Sequence, residues 1–287
     1  MKKINLTLTA MLAIALCLTA CSGNDDIEVN NVTLNETSLS LIVGDEFTLT
    51  ATVLPDNATS QNVVWSSSNP AVASVANGVV TAITAGDATI TAQAGSKTAT
   101  CEVSVIDGVR INGVVWATRN VDMPNTFAAT PESYGMFYQW GRKIAWSVAN
   151  PLVNSDGGTE WNTTIYEGES WTSATDPSPA GWRVPVFEEL ESLIDETKVA
   201  SEWTTQNGVT GRKFTDITTD ASIFLPAVGF RLSIDGTLRN QGNQGRYWSS
   251  AKYDSSYGYY LYFGSDGVGQ IYNNHRLNSF PIRCVAE

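Results

Sequence analysis

"SPAGWRVPVFEELESLI", residues 178–194, decides how the second half of this chain is read. Pro185 cannot continue a helix from upstream but suits the start of one. One turn on from Phe187, residues Leu190, Leu193 and Ile194 share a face at helical spacing. Glu188, Glu189 and Glu191 fall in the first turns, where the helix dipole favours negative charge. That placement argues against acid catalysis, which needs a desolvated carboxylate, whereas the first turn of a surface helix is solvated. The stretch therefore reads as the start of the domain's main helix. Trp182 and Val184 are expected in the core, and Arg183 beside one of several carboxylates.

Around this helix the pattern is β. Upstream, "GVRINGVVWATRNVD" (108–122) alternates apolar residues on both sides of Asn112–Gly113, the signature of a tight hairpin. Downstream, "GRYWSSA", "YGYYLYFG", "GVGQIYNN" and "FPIRCVAE" read as four consecutive strands. One strong helix among strands predicts an α+β domain over residues 108–287. Eight of the nine tryptophans lie in it, and this jump in aromatic content places a boundary near residues 106–109.

Before that boundary, residues 31–107 are rich in Thr, Val, Ala and Ser. Short period-two runs such as "EFTLTATV", "GDATITAQA" and "ATCEVSV" are separated by Gly, Pro, Asn or Asp, which predicts an all-β sandwich. Phe47, Leu49, Ala51 and Val53 share one face of their run, with Thr48, Thr50 and Thr52 on the other. Trp65, the only tryptophan here, is expected at the centre of a small core, and Cys101 as a buried reduced thiol. "VVWSSSNPAVASV", "NGVVTAITAGDATITA" and "TATCEVSV" resemble group 2 bacterial immunoglobulin-like domains. That resemblance implies a spacer or adhesin module without catalytic residues.

The order of "GVVWATRNVD", "YGMFYQWGRK", "WTSATDPSPAGWRVPVFEELESL", "FLPAVGFR", "GRYWSSAKYD" and "IRCVAE" resembles the Fibrobacter succinogenes major paralogous domain. The resemblance implies a C-type-lectin-like fold with paired terminal strands and a loop-rich side. It also implies surface lipoproteins of mostly undetermined activity, and transfers no catalytic residue. In that family the position before "PAGWRVP" commonly carries a cysteine able to bridge to that of the final "RCV". Here it is Ser178, so Cys284 is expected as a buried thiol.

At the other end, Lys2 and Lys3 precede a short apolar run suited to a signal peptide, residues 1–20. The run ends in "LTAC", which resembles the lipobox of bacterial lipoproteins and makes Cys21 the lipidation site, anchoring the chain to the outer membrane. "SGNDD" begins an acidic tether, residues 21–30, and resembles the surface-export signal of Bacteroides-type lipoproteins.

The charge balance bounds function. Without Lys2 and Lys3, 15 basic side chains face 29 acidic ones, moving the formal charge from −12 to −14. Such a chain repels phosphate backbones, so no nucleic-acid partner is expected. The chain has a single histidine, His275, no phosphate-cradling glycine loop, and one cysteine in the second domain, Cys284. The inventory therefore predicts no catalytic residue, no metal and no cofactor: the protein is expected not to be an enzyme. Asp254 and Asp266 lie in turn-like segments, but no lectin-type Glu-Pro-Asn or Gln-Pro-Asp triplet accompanies them.

Binding is the better reading. Alternation along "SYGYYLYFG" puts Tyr260 and Tyr262 on one face, where they could offer an aromatic platform for sugar C–H groups, with Tyr259, Leu261 and Phe263 on the other. Trp248, Tyr253, Tyr257, Tyr272, Asn273, Asn274 and Arg276 complete the candidate ligand-binding set. The expected protein is a cell-surface lipoprotein, an adhesin or glycan binder, whose partner is a glycan or a host or bacterial surface protein. The alternative is an envelope or fimbria-associated structural protein working through protein contacts.

Overall fold

A computed structural model describes residues 26–287. The signal peptide, Cys21 and the first part of the tether lie outside the described residues. The first module is built from two main sheets. In one, strands Ser38–Ile42, Lys97–Ile106, Gly86–Ala94 and Val64–Ser67 lie in that spatial order; in the other, Glu46–Thr48, Val79–Ala82 and Ala73–Ala76 do. Asn31–Leu34 pairs separately with Ala51–Leu54. Burial alternates along Gly86–Ala94 and Lys97–Ile106, so Ile90, Ala92, Cys101 and Val103 point into the core while their neighbours face water. Leu49 and Val53 are buried and Thr48, Thr50 and Thr52 exposed, as the alternation predicted.

Trp65 is not the centre of this core. It is half-buried and packs between two apolar clusters, one around Val80, Ile90 and Cys101 and one around Val32, Val53 and Ala92. Its ring lies over Gly78, the second residue of an Asn-Gly turn with φ +86. A Cβ on Gly78 would stand 2.5 Å from the Leu49 carbonyl oxygen, so the turn admits only glycine.

In the second module the predicted α+β class is corrected: the helix spans only Phe187–Leu193, and nearly everything else regular is strand. The helix stops because "DETK" supplies a turn rather than another apolar step, with Lys198 and Val199 amides donating to the Asp195 carbonyl. The next residues form a hairpin, Val199–Gln206 with Val209–Asp216, about Asn207–Gly208, and Ser222–Pro226 adds a third strand. Asn207 and Gly208 both have positive φ, as do Asn112 and Gly113 in the predicted hairpin Gly108–Ile111 with Val114–Ala117. Such turns match the twist of the strands they join.

Trp116 of the first hairpin pairs with Val285, and Val285 pairs with Arg183, so the first, last and "GWR" segments form one sheet. Three of the expected terminal strands form an antiparallel sheet, Gln244–Lys252, Tyr257–Gly264 and Gly267–His275. The fourth is split into Ser279–Phe280 and Val285–Ala286, which join different sheets. Leu190 and Leu193 bury the helix against Leu261, Phe263 and Tyr247.

Residues 126–178 contain little ladder structure, and side chains replace it in satisfying backbone groups. Arg231 donates to the carbonyls of Ser147, Ala149 and Gly236, and Arg276 to those of Tyr166 and Gly168. Trp140 Nε1 donates to the Ser249 carbonyl and Trp161 Nε1 to that of Ser233. Arg283, fully buried, donates to Asn120 Oδ1 and to the carbonyls of Ala117, Thr118 and Phe224. Burial pushes its pKa down to about 10.

Candidate ligand-binding site

The aromatic platform expected on the terminal strands is largely covered. Tyr260 and Tyr262 share a face with Trp248 and Tyr272, as alternation requires. The loop-rich side of the module closes over that face. Trp248 is fully buried, stacked on Phe280 at 4.1 Å, and donates Nε1 to the Tyr138 carbonyl. Tyr260 is 6% exposed, and burial raises its pKa. Arg276 is 2% exposed, its guanidinium lying 3.9 Å from the Trp140 ring centre. These three residues are structural and leave the candidate set.

Tyr262 is half-buried beneath Arg246, and Asn274 turns inward, its Oδ1 accepting from the His275 amide and from Asn278 Nδ2. Tyr253, Tyr257, Tyr272 and Asn273 remain exposed, but not together. Tyr272 shares the Tyr262 face, whereas Tyr253 packs with Tyr259 on the opposite one.

The stretch read as a helix start forms the larger cavity. Its volume is about 550 Å³, and its walls include Trp171 and Trp182, which are 8% and 6% exposed and so present only a small part of each ring to it. Both indoles are fixed from behind: Trp171 meets Trp140 edge-on at 6.1 Å, and Trp182 meets Phe127 edge-on at 5.6 Å. Between them runs "TSATDPSPAG", held as a built turn. The Thr175 and Asp176 amides donate to the Thr172 carbonyl at 2.9 and 2.7 Å. The Asp176 carboxylate accepts the Ser178 amide at 2.8 Å and the Val184 amide at 3.1 Å, joining this turn to the "WRV" strand.

Arg183, at the cavity wall, makes a two-pronged ion pair with Glu189, Nη1 to Oε2 at 2.8 Å and Nη2 to Oε1 at 2.6 Å. This bond is the main reason its pKa is raised. The same carboxylate caps the helix by accepting the Val186 amide at 2.8 Å. Lys143, Thr172, Ser173 and Asn125 add polar groups, and Glu287 closes the rim. Lys143 makes no ion pair among the described residues. Because Glu189 takes up the charge of Arg183, the cavity wall is left with one cation, Lys143, and two carboxylates, Asp176 and Glu287. Such a chamber suits a ligand with apolar ring surface and many hydroxyls rather than an anionic one.

Behind the cavity, Cys284 Sγ lies 3.0 Å from Ser178 Oγ, both buried. Burial pushes the thiol's pKa up, which makes it a poor nucleophile. Cys101 is also buried and unpaired. From sequence alone "GWRVP" reads as core and helix start, and the loop of residues 126–178, which holds Trp171, reads equally as functional or self-packed. The signal for the cavity is a pair of tryptophans flanking a Ser/Thr/Asp/Pro loop, whose turn geometry opens a space between them.

The model of group 2 bacterial Ig-like domains matches residues 28–103, and that of the Fibrobacter succinogenes major domain matches residues 109–286. An alpha-L-arabinofuranosidase of Bifidobacterium longum is 60% identical over 55 residues, 19% of this chain and 5% of that protein. An Ig-like virion protein of Serratia phage KSP90 is 40% identical over 83 residues, 28% of this chain and 32% of that one. The chain thus spans a third or less of these relatives' lengths. Domains 5–6 of the S-layer protein SbsC align over 86% of this chain and 96% of that one at 14% identity, with a TM-score of 0.25, from which nothing about fold follows. The family match over residues 109–286 takes in the cavity, the terminal sheet and the helix between them, and by it the chain belongs to the Fibrobacter succinogenes major domain family, with a group 2 bacterial Ig-like domain ahead of it.

Proposed function

We propose that this is a surface-displayed binding protein whose second module takes a neutral glycan in the Trp171–Trp182 cavity, while the Ig-like module acts as spacer. The observation that carries this reading is the cavity itself: about 550 Å³, two locked indoles, and polar groups from Lys143, Thr172, Ser173 and Asn125. Pockets of this size with aromatic walls and a few placed polar groups are where small ligands bind. The pairing of first and last strands supports the C-type-lectin-like reading of the module. The signal-peptide pattern and Cys21 support a lipid anchor in the outer membrane with the chain at the cell surface. Among the described residues no helix is long and apolar enough to cross a membrane.

Two relatives, named as an arabinofuranosidase and a kappa-carrageenase, share a segment with this chain, which fits a module carried by polysaccharide-directed proteins. Binding without turnover is the reading for this chain. Asp176 and Glu189 are engaged in holding backbone amides and Arg183, and both described thiols are buried. A glycan array probed with a soluble form beginning at Ser22, with and without chelator, tests the proposal. Chelator-independent binding of neutral glycans, lost in Lys143→Ala and Thr172→Ala variants that keep the wild-type melting temperature, is expected. A blank array together with a retained protein partner from the envelope would replace it with the structural alternative.

A further inference from the structure

At its helix side the cavity ends on Val186, which is exposed, and the next residue begins an aromatic row. The Phe187 ring centre lies 4.7 Å from that of Tyr259 at an interplanar angle of 62°. Tyr259 in turn lies 5.4 Å from Tyr253 at 89°. Tyr253 is 53% exposed, so beyond its contact with Tyr259 much of the ring is open to solvent. It is not on a floppy tip. The Tyr253 amide donates to the Tyr257 carbonyl at 2.9 Å, and Asp254 Oδ1 accepts the Ser256 and Tyr257 amides at 2.7 and 2.8 Å. The turn is built, and it holds the ring out.

Lys252, next to Tyr253 in the chain, is paired with Glu169. The row is narrow. A stable protein partner needs roughly 800 Å² per side, far more than three part-exposed rings offer. A linear carbohydrate needs only a succession of ring faces and edges, each offering an apolar surface with a hydroxyl near it.

Building on the glycan reading of the cavity, we propose that Phe187, Tyr259 and Tyr253 extend it into one continuous binding path. The site then takes a stretch of a neutral linear polysaccharide several sugars long.

Isothermal titration of the soluble protein with neutral cello-, xylo-, manno- and malto-oligosaccharides of two, four and six sugars tests this. Affinity is expected to rise with length within the series that binds. Tyr253→Ala, at an exposed position, should keep the wild-type melting temperature. It should weaken the six-sugar ligand roughly three- to tenfold, the loss of one aromatic contact, while leaving the two-sugar ligand unchanged. Lys143→Ala should weaken both lengths alike. Affinity that does not depend on length, or a Tyr253→Ala effect equal at two and six sugars, would overturn the extended path while leaving the cavity as a sugar site. Absence of binding in every series would remove the glycan reading and the extension together.

Discussion

Replacing Ser178 by cysteine should create a disulfide with Cys284. The hydroxyl already stands 3.0 Å from the thiol sulfur, and both side chains are buried, so the bridge needs only a small approach. The two positions are 106 residues apart, and closing so long a loop in the unfolded chain is worth about 4.7 kcal/mol in the chain-entropy model. Engineered bridges commonly deliver less, through strain in the folded state, so this is an upper value. For a domain of this size, each kcal/mol moves the melting temperature by about 2–4 °C, giving a rise on the order of 10–20 °C at most. Thiol titration of the denatured soluble form should find Cys101 and Cys284 free in the natural sequence, and Cys101 alone in oxidised Ser178→Cys. Thermal unfolding with and without reductant should then show a gain that vanishes on reduction. Two titratable thiols in addition to Cys101 after oxidation, a bridge to Cys101, or an oxidised form that melts no higher than the reduced one would refute the placement of these side chains.

Three further outcomes follow from buried polar contacts and one turn. Arg283→Met strands the carbonyls of Ala117, Thr118 and Phe224 and the Asn120 amide oxygen, and should cost about 3 kcal/mol or more in urea unfolding. Arg283→Lys should recover only part of that, since an ammonium lacks the planar fork. The Asp216 carboxyl is held below the usual carboxylate range by accepting the Asn112 amide, then those of Thr218 and Thr219. Because its folded pKa is depressed, its contribution is present above the unfolded value near 3.9 and is lost as pH falls through the folded one. The difference in urea midpoint between the natural sequence and Asp216→Asn should therefore shrink between about pH 5 and about pH 2, and a difference that stays constant would refute the assignment. Gly78→Ala, forcing a Cβ to 2.5 Å from the Leu49 carbonyl at φ +86, should destabilise the Ig-like module by more than about 1 kcal/mol, measured by urea unfolding of a fragment holding that module if it folds alone, or otherwise in the full chain.

Local signals in the sequence carried far. Asn77–Gly78, Asn112–Gly113 and Asn207–Gly208 each close a hairpin, because only residues tolerant of positive φ fit those turns, a constraint set within a few residues. Alternation identified which residues share a face, and it placed Tyr260 with Tyr262 and Leu261 with Phe263. Pro185 and the glutamates located the helix start, and the partner of Arg183 proved to be Glu189, itself part of the cap.

What alternation does not carry is the identity of whatever lies over each face. A strand shows two faces by its geometry alone, whereas burial depends on which distant segment packs there. Here the cover is the aperiodic loop of residues 126–178, whose path is set by arginine and tryptophan donors reaching carbonyls over a hundred residues away, such as Arg276 to Tyr166 and Trp140 to Ser249. That cover turned Trp248, Tyr260 and Arg276 from expected ligand contacts into core. The same folding back of the loop opened a cavity between Trp171 and Trp182, which lie eleven positions apart in the chain. Sequence therefore determined the elements, their turns and the face each residue takes. The closing of one face and the opening of a chamber were decided by long-range donor–acceptor contacts, which leave no period in the chain.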